Sequence, residues 1–395
     1  MAILLRELWS DRAPLGGWGY CVLLAGLSSC GGDPSGHADA GGTAGSSDAG
    51  PASGGDFGGS AGKQSGGGNG GTGALTGNGG AGSGAAGKAG SGALPAHAIA
   101  ASEYGTCALD ANGQIQCWGA APGVWEIPDA AFVELFGGGD NICGVRADRT
   151  YACFSNPVGM PGSIDYAPDA KVRELAMHRG GLCVLDEAGD TLCGLALPDK
   201  ADLTAPAGQQ FEHISMGIYF ACGLLAVDGS AVCWGNPRSV PEVGCEASTG
   251  RLDAPEGAFT SLSSGPGATC AVTDQGTVLC WGSGDAADPR TEACGNFGQS
   301  VPPDGTFSLV SANSNHSCGV KTDGQVACWG AGTTDECTLD VNRNCRQSLP
   351  PAGAFEQVVT GRNHSCAMTA DRKVQCWGFN GDPPDGRLEP PAVFQ

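Results

Sequence analysis

The sequence predicts an all-β protein, a seven-bladed β-propeller built from seven repeats of about 36–48 residues and preceded by a disordered linker. Three observations predict this fold. Cysteine pairs recur seven times, aliphatic residues stand at fixed distances from them, and a short turn sequence separates the two members of each pair. Periods of this length are typical of solenoids, propellers and repeat arrays.

Residues 1–29 are predicted to be a signal peptide of the lipoprotein type. The apolar stretch GYCVLLAGLSSC is too short to span a bilayer and ends in small residues, as secretion signals do. Leu27-Ser28-Ser29-Cys30 resembles the lipobox of bacterial lipoproteins, which implies that Cys30 is lipidated. An ordinary signal peptide with another cleavage point is the alternative.

Residues 30–95 are predicted to be a disordered linker. They consist mainly of Gly, Ala, Ser and Thr. Such a segment cannot bury enough apolar surface to offset the entropy of ordering it. We expect a flexible tether that holds the rest of the chain clear of a membrane.

Residues 96–395 contain the seven repeats. Both the residue eight positions before the first cysteine of a pair and the residue two positions after it are aliphatic or Met in all seven units. Six pairs are ten residues apart and one is eleven: Cys107/Cys117, Cys143/Cys153, Cys183/Cys193, Cys222/Cys233, Cys270/Cys280, Cys318/Cys328 and Cys366/Cys376.

The turn sequence predicts a β-hairpin in each unit. In CAVTDQGTVLC the residues around the turn are β-prone, and Gly276 ends a three-residue loop in which glycine accepts the left-handed conformation. This register places Cys270 opposite Cys280 and Val272 opposite Val278.

The turn sequences vary between units, and a further strand is predicted before each hairpin. Units two and seven have Arg149 and Arg372 where the other units have glycine, so we expect those turns to differ. Segments such as FSLVSA and FEQVVT predict an additional strand before each hairpin.

The last residues, PPAVFQ, match the start of a unit, and unit one has Ala96 where most units have Phe. We therefore expect the tail to pair beside unit one and close the ring.

The sequence NHSCAM, an Asp-containing turn and VQCWG together resemble the repeat of the regulator of chromosome condensation family, whose members form seven-bladed propellers. The resemblance covers residues 96–395, although units two and three have Phe154-Ser155 and Gly194-Leu195 in place of Trp-Gly. The family includes a secreted bacterial inhibitor of β-lactamase, and its eukaryotic members act as nucleotide exchange factors for a small GTPase on chromatin. With the secretion signal, the resemblance implies a secreted or lipoprotein type from bacteria.

The paired cysteines are expected to form cross-strand disulfides, with buried free thiols as the alternative. Metal sites usually show cysteines separated by two residues, and that spacing does not occur. Four further cysteines lie between units. Cys337 and Cys345 could staple one loop, and Cys245 and Cys294 could bridge successive loops, but four cysteines allow three connectivities.

Other residues at repeat positions are expected to be structural. The five tryptophans that follow second cysteines are predicted to pack between blades. His316 and His364 are predicted to bond within their own blades. Residues 96–395 contain no Gly-x-Ser-x-Gly elbow, no His-Glu-x-x-His and no phosphate-cradling loop. We expect no enzyme activity, no catalytic or metal-binding residues and no cofactor.

Charge and loop lengths indicate where function lies. A formal charge of −21 disfavours nucleic acid as a partner, and twenty cysteines indicate an oxidising compartment. Longer insertions occupy residues 235–258, 282–306 and 330–354. The sequence therefore predicts a monomeric cell-surface or secreted propeller, on the bacterial outer membrane if lipid-anchored, that binds a protein or glycan through loops on one face. The alternatives are a hydrolase or lyase with a site in the central channel, and a regulator of a small GTPase.

Overall fold

The computed structural model describes residues 94, 97–119, 127–155, 171–178, 181–195, 202–236, 250–284, 297–335, 337, 344–381 and 384–395. The predicted signal peptide (1–29), Cys30 and all of the predicted linker (30–95) except Leu94 lie outside these residues. Cys245 and Cys294 lie outside them as well.

The described residues form 21 strands arranged in seven antiparallel sheets of three strands each. The sheets follow one another in chain order and are numbered here as blades one to seven. Their strands are β1 (Ile99–Ala101), β2 (Gly105–Leu109) and β3 (Ile115–Gly119); β4 (Glu134–Gly138), β5 (Asn141–Val145) and β6 (Tyr151–Ser155); β7 (Val172–His178), β8 (Gly181–Asp186) and β9 (Thr191–Leu195); β10 (Phe211–Gly217), β11 (Phe220–Leu225) and β12 (Ala231–Gly235); β13 (Phe259–Ser264), β14 (Ala268–Thr273) and β15 (Val278–Gly282); β16 (Phe307–Ala312), β17 (His316–Lys321) and β18 (Val326–Gly330); β19 (Gln357–Thr360), β20 (His364–Met368) and β21 (Val374–Gly378).

Each blade corresponds to one unit of the sequence repeat. The second and third strands are the predicted hairpin, and the first strand is the predicted upstream segment, with FSLVSA forming β16. In β14 and β15, Cys270 pairs with Cys280 and Val272 with Val278, so the predicted register is confirmed.

The blades form a closed ring. The first strand of each blade contacts the first strand of the next, and β19 of blade seven contacts β1 of blade one. The seven first strands therefore surround a central axis. The prediction of a seven-bladed β-propeller is confirmed.

The hydrophobic core is divided among the interfaces between blades. One cluster joins Val272 and Val278 of blade five to Phe307, Val310 and Trp329 of blade six, and each other pair of neighbouring blades shares a cluster of the same kind. Burying one such side chain stabilises the fold by about 1.5–3 kcal/mol. Each blade thus depends on both neighbours for its core.

In blades two, four and six, the glycine after the first cysteine makes room for a phenylalanine that stands at or just before the first strand. A Cβ added to Gly319 would lie 2.6 Å from Cδ1 of Phe307. Glycine at this position therefore follows from packing within these blades.

The turns of blades two and seven have the same backbone conformation as the glycine turns. Arg149 and Arg372 both have φ of 66°, and Gly276 has 83°. The expectation that these turns differ is therefore wrong. A left-handed residue other than glycine costs about 1–2 kcal/mol. Contacts offset this cost, because Arg149 Nη1 donates to Glu134 Oε2 and Arg372 Nη1 to Leu109 O, both at 3.1 Å.

The tail closes the ring by packing instead of by strand pairing. Ala392–Phe394 form a 3-10 turn, and Phe394 is only 1% exposed. Its ring centroid lies 5.9 Å from that of Trp118, as Phe211 lies 5.2 Å from Trp234 within blade four. Phe394 therefore supplies the aromatic side chain that unit one lacks.

Candidate binding surface

The two ends of the propeller carry different turns. We call the end with the turns between first and second strands the insertion face, and the end with the turns between second and third strands the hairpin face. Gly330, the last residue of β18, pairs with His316, the first residue of β17, and blades four and five repeat this pairing. The insertions at 235–258, 282–306 and 330–354 therefore begin on the insertion face.

The first insertion returns to the same face through Arg251. This side chain is buried, and its Nη1 donates to Ile218 O at 3.2 Å in the turn between β10 and β11. Its guanidinium carbon lies 5.3 Å from the ring centroid of Phe220, in cation–π range. Burial lowers the pKa of Arg251 to about 10, so the group stays charged at neutral pH. The buried cation fixes one end of the loop against blade four.

Gln299 and Gln347 hold the second and third insertions. Both side chains are buried, and Gln299 Nε2 donates to Ser314 O at 3.4 Å. Their backbone carbonyls accept from tryptophans of the following blade, at 2.8 Å for Trp329 Nε1 and 2.9 Å for Trp377 Nε1. The tryptophans therefore anchor insertions in addition to packing between blades.

Serines close the necks of these two insertions. Ser300 Oγ donates to Ser283 O at 2.6 Å, and its N–H donates to Gly284 O at 3.2 Å. Ser348 Oγ donates to Ala331 O at 2.6 Å in the same way. The described residues that flank these two insertions are thus bonded to each other on the insertion face.

The anchors follow a second sequence repeat that the cysteine alignment did not reveal. A residue with left-handed φ precedes each anchor, and the anchor stands seven or eight positions before a buried phenylalanine. These residue pairs, with the φ of the first member, are Gly250-Arg251 (68°), Gly298-Gln299 (79°), Arg346-Gln347 (59°) and Gly386-Arg387 (77°). Aligning the units on the phenylalanine would have found the pattern.

The structure joins seven of the predicted cysteine pairs by disulfides between the second and third strands. The two cysteines of each pair are directly opposed in the strand register, with Cα atoms 3.9–4.1 Å apart: Cys107–Cys117, Cys143–Cys153, Cys183–Cys193, Cys222–Cys233, Cys270–Cys280, Cys318–Cys328 and Cys366–Cys376. An eighth disulfide, Cys337–Cys345, lies within the third insertion.

The two repeat histidines connect neighbouring blades. His316 Nε2 lies 2.7 Å from Ser365 Oγ of blade seven, and His364 Nε2 lies 2.9 Å from Thr106 Oγ1 of blade one. The expectation of bonds within one blade is therefore wrong. Burial lowers the pKa of both imidazoles to about 3, so both are neutral.

The first strands enclose a central channel with a cavity of about 260 Å³. Three ionisable side chains line its described wall: His97, Glu174 and His178. Glu174 Oε2 lies 3.2 Å from His213 Nδ1, and this hydrogen bond is the main cause of a raised pKa of His213. No set of three or more His, Cys, Asp and Glu in the described chain could hold a metal ion. The described part of the chain also has no helix long and apolar enough to cross a membrane.

Comparison with known families matches three segments of the chain to the regulator of chromosome condensation (RCC1) repeat, at residues 259–286, 307–334 and 355–382. Each segment begins with the first strand of blade five, six or seven or just before it, and extends beyond the third strand.

Solved structures with similar folds include two plant receptor-kinase ectodomains. The ectodomain of CR4 from Physcomitrella patens is 23% identical, with 71% of this chain and 73% of that chain covered and a TM-score of 0.55. The CRINKLY WD40 ectodomain of ACR4 from Arabidopsis thaliana is 20% identical, with coverage of 71% and 94% and a TM-score of 0.55. Prp20p from Saccharomyces cerevisiae is 16% identical with a TM-score of 0.37, covering 71% of each chain.

These findings define the class of protein as a disulfide-bonded seven-bladed β-propeller. The three matched segments further show that blades five to seven contain RCC1 repeats.

Proposed function

We propose that this protein is a non-catalytic binding module that recognises a partner protein through its insertion face. The observation that carries the proposal is the anchoring of three successive insertions at one end of the ring. Arg251, Gln299 and Gln347 are each buried at the described end of their insertion. Insertions of this kind in repeat proteins often form the binding face.

Pre-ordered loop ends favour binding. A loop held at its neck has lost part of its conformational freedom before a partner arrives, so less entropy is lost on association. In the third insertion the Cys337–Cys345 disulfide and the ion pair between Arg346 Nε and Asp335 Oδ1, at 3.2 Å, restrict the loop further. A glycan is the second candidate partner for the same surface.

We also propose that the protein works outside the cytoplasm as a monomer. Eight disulfides among the described residues are typical of oxidising compartments. The signal sequence and Cys30 fit attachment to a bacterial outer membrane, with residues 31–95 as the tether. A role in regulating a cytoplasmic GTPase fits neither the disulfides nor the signal sequence.

An enzyme with its site in the channel has less support. Glu174, the one carboxylate of the described lining, is hydrogen-bonded to His213, and the ring of His97 lies against Phe136 with centroids 4.5 Å apart. A general acid and a general base need to converge on a space where substrate can sit. These contacts favour a structural role for the ionisable groups.

Capture experiments with the full chain test the proposal. The variant replaces residues 237–249, 285–296 and 338–343 by short Gly-Ser segments and keeps the three anchors. The control replaces only the exposed hairpin-face turn at Asp274 and Gln275. Partners captured from a cell-surface extract are identified by cross-linking and mass spectrometry, then purified for affinity measurement. We expect the loop variant to lose affinity while melting at the wild-type temperature and the control to bind normally. Equal affinity of the loop variant would overturn the proposal.

A further inference from the structure

The central channel has the features of a second binding site, independent of the insertion face. Its cavity of about 260 Å³ is bounded by the first strands of all seven blades. This volume is below that of typical drug-sized pockets. Any ligand must therefore be small.

Serine hydroxyls line one arc of the channel, in blades four to six. Ser215 Oγ accepts from Ser264 N at 2.8 Å, and Ser263 Oγ accepts from Ala312 N at 2.9 Å. Ser311 Oγ accepts from the amide of blade seven in the same way, at 3.1 Å. The three serines are partly exposed. Ser311 Oγ also lies 2.9 Å from Thr360 Oγ1, whereas the hydroxyls of Ser215 and Ser263 each accept one bond and can still donate their own protons. The arc thus offers donors towards the lumen.

The opposite arc has apolar side chains at the position of the serines, although His97, Glu174 and His178 also line this side. At the position of the three serines, blade seven has Val359, and blades one to three have Ala100, Phe136 and Ala176. The backbone of this arc remains polar, because the first strand of a blade has one edge that is not paired with the second strand. At this position the channel wall therefore has hydroxyl groups on one side and apolar side chains on the other.

Charge restricts the chemistry further. The described lining contains no arginine or lysine, the side chains that most often bind phosphate and carboxylate groups. Glu174 bonds to His213 at 3.2 Å. A neutral molecule with many hydroxyl groups and an apolar face fits this wall better than a phosphate, a carboxylate or a hydrocarbon.

We infer that the channel binds a small neutral polyhydroxylated molecule of monosaccharide size. Its hydroxyls would accept from Ser215 and Ser263, and its apolar face would lie against Phe136. The site needs no part of the insertions, so this inference can be tested independently of the proposed binding face.

Saturation-transfer NMR on the full chain provides the test. The neutral probes are glucose, galactose, mannose and N-acetylglucosamine, and the charged comparator is glucose 6-phosphate. Val359→Phe fills the lumen without removing a hydrogen bond. Ser263→Ala removes one hydroxyl. Val227→Phe is the matched control, because Val227 is 84% exposed in a hairpin-face turn.

We expect at least one neutral sugar to show transfer with wild-type protein and with Val227→Phe, and none with Val359→Phe. Ser263→Ala should lower the affinity for that sugar by about tenfold, because one hydrogen bond is lost. Melting curves establish whether each variant is folded. If Val359→Phe does not fold, the binding measured with Ser263→Ala tests the inference. Failure of all four neutral sugars to bind, stronger transfer to glucose 6-phosphate, or unchanged binding in the folded lumen variants would overturn the inference.

Discussion

The buried histidines predict a loss of stability between pH 7 and pH 5. His316 and His364 are fully buried and bonded to hydroxyls of the next blade, and burial lowers the pKa of each to about 3 from an ordinary value of 6.5. Below pH 6.5 the unfolded chain takes up protons that the folded chain does not bind until about pH 3. The stability from these groups is therefore complete above pH 6.5 and is lost as the pH falls.

The magnitude follows from the size of the pKa difference. At pH 5, about one and a half units below the unfolded pKa, each histidine costs about 2 kcal/mol, so the two together cost about 4 kcal/mol. Urea unfolding followed by tryptophan fluorescence at pH 7 and pH 5 measures the change. We expect the free energy of unfolding of the wild type to fall by about 4 kcal/mol more than that of a His316→Gln/His364→Gln double variant.

His213 serves as a control, because its pKa is shifted in the opposite direction. The hydrogen bond to Glu174 raises the pKa of His213, so His213 contributes stability at low pH that is lost as the pH rises through its folded pKa. His213→Gln should therefore leave the loss below pH 6.5 intact or slightly larger. An equal fall in the wild type and in the double variant would refute the assignment of the loss to the interblade histidines.

Three further predictions concern closure, turns and disulfides. Phe394→Ala should lower the free energy of unfolding by about 3–5 kcal/mol, because it empties the site against Trp118, while Val393→Ala, at an exposed position, should change it little. Gly276→Ala should cost about 1–2 kcal/mol in urea unfolding, since φ there is 83°, and no loss would show that the turn relaxes. Alkylation of the secreted protein without reductant should leave the blade cysteines unmodified by intact mass, and modification of most of them would contradict the disulfides.

Local sequence signals predicted the blades well. The Asp-x-Gly turns determine the hairpin register, and that register brings Cys270 opposite Cys280 without any long-range information. The missing aromatic residue of unit one, combined with the tail sequence, indicated the closure that Phe394 makes. The prediction that the turns at Arg149 and Arg372 differ from the glycine turns failed. Arginine in isolation avoids the left-handed region, but here hydrogen bonds to Glu134 and Leu109 hold it there.

The binding surface was harder to predict. The role of Arg251 depends on the end of the blade at which its loop returns, and hydrophobic periodicity holds no signal for that. The partners of His316 and His364 lie on neighbouring blades, 49 and 258 residues away in sequence. Such contacts become visible only when the ring is assembled.

The contact between the first and last described parts of the propeller bears on how the molecule could be re-engineered. Leu94 and Phe394 pack into the same cluster between blades seven and one. A circular permutant joined from Gln395 to Leu94 and opened at Ala331 would keep every blade whole while transferring the seam of the ring to the boundary between blades six and seven.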